Sequence, residues 1–378
     1  MDGTYLIHKG NSSGPIPESD SHHAQTPIDA DEGGSIIMLD AQKVLLGYLE
    51  DNVEEYRRLK DLRKRGWQSS RGDDHFMKQR RHADLADEKK SQFFYTMMRD
   101  IAVDLDNETG ALTGDCLKIE RILDMCAAPG GFIDQTMAMC HGISHVRAMS
   151  LPVKQGGHEI RMENKDVAVE FRDITMLAGD MSVIEQDIPD AFPDRDGLVL
   201  DKVFSPDEKY HLVFCDGQVL RTHTRSEWRE GREATRLTVT QLALGLEHLE
   251  AGGTMVILMH KLDSWRSFDL IYQFSKIARV SLFKRPKHHK TRSSFYLVAQ
   301  GVESSSPCAK TLVEEWKGRY KVATFGSEEQ YVKMHKVSKE IAESGIEEFG
   351  TEYVKMGTKI WKTQADGLEN ARFMKGTG

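Results

Sequence analysis

The stretch from Ile122 to Phe132 (I-L-D-M-C-A-A-P-G-G-F) has the residue types of a ligand-binding loop. An apolar strand ends in Asp124, small residues follow, and Pro129-Gly130-Gly131 leads into a helix. Glycine lets the backbone approach a ligand closely, and the first amides of a helix attract a carboxylate. The spacing matches neither G-x-G-x-x-G nor G-x-x-x-x-G-K, so it favours a nucleotide cofactor without a pyrophosphate over NAD or ATP. The alternative is a tight strand-to-helix turn that binds nothing.

Two more polar residues end apolar runs. H-L-V-F-C-D ends in Asp216, which is followed by Gly217. A carboxylate that leaves so apolar a strand is poorly explained as a solvated charge, so Asp216 is predicted to be a site residue. His260 ends the run that starts at Thr254, and it is either catalytic or a satisfied histidine of the core or rim.

Short apolar runs alternate with helical patterns through the middle of the chain. This alternation predicts an α/β fold with a doubly wound, mainly parallel sheet. Such sheets bind ligands beyond the carboxyl ends of their strands, where the glycine loop and Asp216 would both lie. Helices are predicted over residues 228–249 and 263–277. The predicted strands begin at Ile122, His145, His211, Thr254, Arg279 and Phe295.

Composition divides the chain into four segments. Residues 1–36 are rich in Gly, Ser, Pro, Asp and His without apolar periodicity, which predicts a disordered tail. Residues 37–110 form a predicted helical N-terminal extension, with helical spacing over 45–56 and 93–101 and a turn at 107–110. Residues 111–303 form the α/β domain. Residues 304–378, with many Lys and Glu, are a predicted helical C-terminal extension.

Charge and cysteine content exclude several classes of protein. The 378 residues carry a formal net charge of -8, which excludes a globally basic nucleic-acid coat but allows a local basic groove. The 5 cysteines form no C-x-x-C pair, which argues against a disulfide scaffold and a cysteine zinc site, and no metal is predicted. We expect a reducing cytoplasmic or nuclear setting, and no apolar run has the length of a membrane span.

The motif D-x-x-A-A-P-G-G-F resembles the S-adenosylmethionine loop of the FtsJ-type ribose 2′-O-methyltransferases, which include ribosomal-RNA and messenger-RNA cap enzymes. The resemblance continues in order through residues 93–301. H-L-V-F-C-D-G resembles the family's fourth motif, Gly252-Gly253 and the strand to Lys261 resemble its lysine strand, and L-F-K-R-P-K-H-H-K-T-R-S-S-F-Y-L-V-A-Q-G resembles its final hairpin. The resemblance implies a Rossmann-like methyltransferase domain that binds S-adenosylmethionine.

The resemblance also implies cofactor contacts. Ser150 follows the second strand, where many methyltransferases place an acid on the ribose hydroxyls. Asp180 resembles the family's adenine contact, with a surface loop acid as the alternative. The remaining implied cofactor residues belong to the first and fourth motifs and are Asp124, Ala127, Pro129, Gly130, Gly131, Phe132 and Asp216.

The family's catalytic Lys-Asp-Lys-Glu tetrad is only partly matched. Asp216 matches, whereas Lys261 stands about three residues later than the usual spacing, and strand alternation favours Leu258 or His260 there. The glutamate falls at Ser294, and the first lysine aligns near Met97. Two interpretations follow: His260 or Lys261 works with Asp216 in an altered mechanism, or the fold binds its cofactor without the family's reaction.

Two basic segments are candidates for RNA contact. Residues 57–81 carry ten basic side chains with interleaved aromatic residues, and residues 284–292 lie in the predicted final hairpin. Lys284, Lys287, Arg292 and Ser294 are the predicted substrate contacts, and a solvated helix face is the alternative for either segment. The leading function is RNA ribose 2′-O-methylation. The rivals are a non-catalytic cofactor- or RNA-binding module and a small-molecule methyltransferase.

Overall fold

A computed structural model describes residues 39–68, 77, 88–114, 118–164 and 167–374. The predicted tail, residues 1–36, lies outside the described residues. The helices are α1 (Leu39–Asn52), α2 (Glu54–Trp67), α3 (Glu88–Thr109), α4 (Gly131–Met139), α5 (Glu233–Glu247), α6 (Trp265–Ser275), α7 (Pro307–Phe325), α8 (Glu328–Met334) and α9 (Lys339–Glu369). The strands are β1 (Arg121–Asp124), β2 (His145–Ser150), β3 (Val169–Phe171), β4 (Tyr210–Cys215), β5 (Leu249–His260), β6 (Arg279–Phe283) and β7 (Ser294–Val302).

The strands form one sheet in the order β3-β2-β1-β4-β5-β7-β6. β1 lies between β2 and β4 and is parallel to both, while β7 is antiparallel to β5 and β6. β1, β4 and β7 are almost entirely buried, which explains their unbroken apolar runs. The sheet confirms the predicted α/β fold class. The three-residue strand β3 was not predicted, because its run is short and contains Glu170.

Three helix boundaries differ from the sequence prediction. The backbone at Val53 is extended, so the helical pattern over 45–56 belongs to two helices, α1 and α2. The turn predicted at 107–110 is wrong, since α3 runs to Thr109 and the chain turns at Gly110, where φ is +62°. α5 begins at Glu233 rather than near Trp228, because residues 227–229 form a short 3₁₀ turn.

The N- and C-terminal helices pack together against the α/β domain. α9 buries Tyr353 and Trp361 in the core that also contains Leu45 of α1 and Leu59 of α2. One continuous core therefore crosses the expected domain boundaries at 111 and 303, and those boundaries stay predictions. Within the described residues, no helix combines the length and apolarity needed to cross a bilayer.

Candidate active site

A cleft of about 290 Å³ lies beyond the carboxyl ends of the parallel strands, where the sequence predicts a ligand site. The segments that follow β1, β2, β3 and β4 line it. α3 contributes an apolar wall, and the loop between β6 and β7 reaches its solvent edge. The lining residues used below are Phe94, Met97, Met98, Cys126, Ala128, Pro129, Ser150, Asp173, Asp216, His223, Glu233, Leu258, His289, Arg292 and Tyr296.

Two buried carboxyl groups lie at the ends of the neighbouring strands β1 and β4. Asp124 Oδ1 accepts the Cys126 amide at 3.0 Å, whereas Asp124 Oδ2 and Asp216 Oδ1 are buried without a hydrogen-bond partner. Burial, followed by the charge of Asp216, raises the pKa of Asp124 well above its usual range. Burial raises the pKa of Asp216 to about 7. A buried carboxylate without a partner is costly, so this pair favours a cationic ligand.

The glycines of the loop after β1 are explained by close packing inside the protein. Gly130 has φ +105°, and a Cβ added there would lie 2.9 Å from the Met162 Cβ. A Cβ on Gly131 would lie 2.4 Å from the Tyr95 carbonyl oxygen, so this glycine lets α3 approach the start of α4. Neither glycine is among the described residues that line the cleft, so contact of Gly130 or Gly131 with a ligand stays a prediction. The cleft face of the loop is formed by Cys126, Ala128 and Pro129.

Ala127 and Phe132, which the resemblance assigns to the cofactor, are buried beneath the cleft lining. The Ala127 amide donates to the Met149 carbonyl at 2.8 Å and ties the loop to β2. Phe132 stacks near Phe214, with ring centroids 5.1 Å apart, and packs edge-on against Tyr296. Both residues support the loop from inside the protein.

The two candidates for the cofactor's nucleoside part separate in the structure. Ser150 lines the cleft at the end of β2, as expected. Asp180 does not line it: the carboxylate is buried and accepts the Val203 and Phe204 amides at 3.0 Å each. Asp180 is thus neither a surface acid nor positioned as a cleft contact, because both oxygens already fix a loop.

Sequence reasoning missed an ionic network on the floor of the cleft. Asp173, His223 and Glu233 place potential metal-ligand atoms within 4.8 Å of one another. Arg229 Nη2 donates to both carboxylates at 2.6 Å, and Arg236 Nη1 donates to Glu233 at 2.7 Å. Two guanidinium groups therefore balance two carboxylates, so the cluster is better described as an ion-pair network than as a metal site.

Asp173 follows β3, and the sequence did carry a signal for it. Val167, Val169 and Phe171 alternate with other residues, as in a half-buried strand, and Asp173 comes two residues after the strand ends. Burial alone would raise the pKa of Asp173, but hydrogen bonds from His223 and Arg229 outweigh it and hold that pKa below its usual range. Asp173 is therefore ionised and oriented at the edge of the cleft.

The residues proposed to replace the family's lysine lie elsewhere. His260 and Lys261 are exposed at the end of β5, and neither lines the cleft. Lys261 has φ +52° and its amide donates to the Ser293 carbonyl. Leu258 lines the cleft instead, in agreement with the strand alternation. Ser294, at the glutamate position, is buried at the start of β7, and none of the described lining residues is a lysine.

The loop between β6 and β7 contains two buried basic residues, Lys284 and Arg285, and several accessible ones. Lys284 was expected to contact substrate, but it is buried, and its Nζ donates to the carbonyls of His289, Arg292 and Ser294 at 3.3, 2.7 and 2.6 Å. Lys284 therefore holds the loop together. Lys287 is exposed, and Arg292 is exposed at the edge of the cleft.

Two arginines in the described part of the first basic segment are paired within the protein. Arg58 donates to Asp366 at 2.6 Å, and Arg63 donates to Asp263 at 2.9 Å. These contacts fasten α2 to α9 and to the start of α6, which favours the structural interpretation of these two arginines. Most of residues 69–87 lie outside the described residues.

The FtsJ-like methyltransferase family model matches residues 104–302, just over half of the chain. The chain belongs to the FtsJ-like methyltransferase family. This membership confirms the resemblance identified from the motifs. No curated protein matches the FtsJ-like chain.

Two solved structures match part of the chain. A protein described as a ribosomal RNA methyltransferase from Plasmodium falciparum is 16% identical, with a TM-score of 0.35, over 54% of this chain and 96% of that chain. The alphavirus protein P23pro-zbd is 12% identical, with a TM-score of 0.26, over 53% of this chain and 24% of its own. Scores this low carry no information about the function of the FtsJ-like chain.

Proposed function

We propose that the cleft binds S-adenosylmethionine and that the protein transfers its methyl group to a ribose hydroxyl of RNA. The observation that carries the proposal is the carboxyl pair at the ends of β1 and β4, each with one buried, unpaired oxygen: Asp216 lines the cleft, and the fully buried Asp124 lies outside the lining. S-adenosylmethionine carries a positive sulfonium and an ammonium group, which suit this pair. Membership of the FtsJ-like methyltransferase family supports the same cofactor.

Each residue in the cleft has a role that follows from its position. Ser150 ends β2 and Asp173 follows β3, and both are placed to hold hydroxyl or amino groups of the nucleoside. Ala128 and Pro129 present the loop surface after β1. The cofactor, when bound, supplies an electrophilic methyl group. These assignments are proposals that rest on cleft geometry and on the family resemblance.

Asp216 is the proposed proton acceptor, because no lysine is among the described residues that line the cleft. A pKa of about 7 lets the Asp216 carboxylate accept a proton near neutral pH. Asp124 is more deeply buried, and burial followed by the charge of Asp216 raises its pKa well above the usual range, so Asp216, which lines the cleft, is the better placed acceptor. The Asp216 carboxylate would accept the proton that the attacking hydroxyl loses as it takes up the methyl group.

A second candidate function is cofactor or RNA binding without turnover. It is favoured by the side chains that occupy the tetrad positions: Leu258 lines the cleft and Ser294 is buried. A small-molecule acceptor is the third candidate. The apolar wall of Phe94, Met97 and Met98 favours it, since such a surface suits an apolar acceptor.

A methyl-transfer assay distinguishes the candidates. The full chain is incubated with tritiated S-adenosylmethionine and either pooled RNA or pooled metabolites, and labelled RNA is digested to locate the methyl group. We expect label in ribose, no label with Asp216→Ala, and normal labelling with Asp190→Ala, an exposed acid. Lys261→Ala tests the prediction made from the sequence, and loss of label there would reinstate this lysine.

The other outcomes each exclude a candidate. Cofactor binding in calorimetry without incorporation into either pool supports the binding module. Label in metabolites alone supports the small-molecule enzyme. Absence of cofactor binding in a folded protein rejects the proposal.

A further inference from the structure

An exposed aromatic pair lies where α3 meets the loop between β6 and β7. The Phe93 side chain is 50% exposed, and its ring centroid lies 5.4 Å from that of His288 in an edge-to-face arrangement. On its other side, Phe93 lies 5.8 Å from Phe94, which lines the cleft. Three rings thus lead from the surface to the cleft. A clustered exposed aromatic surface of this kind marks an interaction site more often than a single exposed residue does.

The loop that carries His288 is held in a strained and fixed conformation. His288 has φ 56° and ψ −76°, which a non-glycine residue rarely adopts, and such strain persists only where the surroundings enforce it. Lys284 supplies part of this restraint, because its Nζ donates to three carbonyls of the same loop, those of His289, Arg292 and Ser294. The aromatic pair therefore has a fixed geometry.

The C-terminal helix α9 supports the same loop from behind. A Cβ added to Gly367 would lie 3.0 Å from the backbone of Lys290, so helix and loop are in close contact. The Gln364 side-chain amide donates to the Thr291 carbonyl at 3.5 Å. The C-terminal extension thus helps to position the loop at the cleft, which gives it a role in the site.

Positive charge is concentrated beside the aromatic pair. Arg292 lines the cleft while remaining exposed, and partial burial followed by the nearby charge of Arg221 lowers its pKa. A guanidinium group at the solvent edge of the cleft suits a phosphate, because its planar fork of donors matches the phosphate oxygens. Lys287 is exposed next to His288 in the chain.

We propose that Phe93 and His288 stack an unpaired base of single-stranded RNA while Arg292 holds an adjacent phosphate. Bases stack on aromatic side chains only when they are unpaired, and phosphates are bound by arginine forks. The proposal rests on the RNA substrate proposed above and specifies its form. RNA would enter the cleft as a single strand, over the junction of α3 and the β6–β7 loop.

The test measures binding of a fluorescein-labelled single-stranded RNA 12-mer and of the same sequence as a duplex, by fluorescence anisotropy with the full chain. The variants are Phe93→Ala, Arg292→Ala and the control Phe171→Ala. Phe171 is matched to Phe93 because its side chain is 53% exposed and it lies on β3, at the opposite edge of the sheet from β6. Circular dichroism confirms that each variant is folded.

We expect Phe93→Ala to weaken single-strand binding about tenfold, as loss of one stacked base predicts, and Phe171→Ala to leave it unchanged. Arg292→Ala should weaken binding to all sequences and lower the salt slope by about one. A 12-mer with 2-aminopurine should show stacking quenching with the wild type that Phe93→Ala abolishes.

Three results would overturn the inference. If the wild type binds RNA and Phe93→Ala binds it with the same affinity, the stacking site is rejected but the proposed function stands. Equal loss in Phe171→Ala shows that any exposed phenylalanine has the effect. Absence of RNA binding by the wild type removes both the stacking site and the proposed RNA substrate, whereas cofactor binding, measured on the same preparation, is judged separately.

Discussion

Replacing Asp216 by Asn should stabilise the protein without ligand at pH 8 relative to the wild type. Asp216 Oδ1 is buried without a partner, and burial raises the pKa of this carboxyl group from 3.8 to about 7. Between these values the native protein keeps a proton that the unfolded chain has released, so the free energy of unfolding falls as the pH rises. This loss of stability is complete above pH 7. An Asn side chain does not ionise, so Asp216→Asn does not lose stability in this way.

The expected size follows from the pKa of Asp216. One unit of pKa difference corresponds to about 1.36 kcal/mol of folding free energy. Between pH 5 and pH 8, the wild type loses stability over the roughly two pH units from pH 5 to the Asp216 pKa of about 7. The wild type should therefore lose about 3 kcal/mol more than Asp216→Asn over this range. The figure is an upper limit, because the Asn amide brings buried donors of its own.

Urea denaturation at pH 5 and pH 8 measures this difference. The control is Asp180→Asn, because both Asp180 oxygens accept backbone amides, from Val203 and Phe204. Loss of one acceptor should destabilise that variant by about 1–3 kcal/mol at both pH values. If the free energies of unfolding of the wild type and Asp216→Asn change in parallel from pH 5 to pH 8, the burial argument for Asp216 is refuted.

The remaining predictions concern packing, the β6–β7 loop and the cofactor. Gly131→Ala should lower the free energy of unfolding by about 1–3 kcal/mol in thermal denaturation, because its Cβ would lie 2.4 Å from a carbonyl oxygen of α3. The control Gly47→Ala, whose Cβ would have nothing within 4 Å, should raise that free energy by up to about 1 kcal/mol. Equal effects of the two substitutions would contradict the packing argument. Lys284→Met should lower the free energy of unfolding in urea by about 2–4 kcal/mol, because three carbonyls lose their donor. Replacement of the exposed Lys287 by Met should change it by less than about 0.5 kcal/mol. Equal losses would show that Lys284 does not restrain the loop. The affinity for S-adenosylmethionine should rise with pH up to about 7 and then level off, because ionised Asp216 attracts the cation. Calorimetry measures this affinity as a function of pH. An affinity that does not change with pH, together with no proton release on binding, would count against this role of Asp216.

The fold could be predicted because its signals are local. The apolar runs that became β1, β4, β5 and β7 are long or fully buried, and their alternation with helices fixes the sheet type. β3 was not predicted because the alternation of Val167, Val169 and Phe171 is short, and Asp173 was missed with it. α3 was extended past its predicted end because packing on the sheet outweighs the turn preference of residues 107–110.

The candidate site was only partly predictable, because side-chain roles depend on partners distant in sequence. Asp124 and Asp216 could be found, since each ends an apolar strand and such ends meet at one edge. The sequence could not show that Gly131 faces α3 or that the Asp180 oxygens are occupied by backbone amides. Lys284 looked like a surface cation because nothing local indicates that three carbonyls surround it.

The central claim is that the two buried carboxyl groups beyond β1 and β4 form the site for a sulfonium nucleoside. A crystal structure of the protein soaked in S-adenosylmethionine tests it most directly. We expect electron density in the cleft, with a positively charged atom within roughly 4–6 Å of the Asp216 carboxylate. Density elsewhere, or an empty cleft at a saturating concentration, would contradict it.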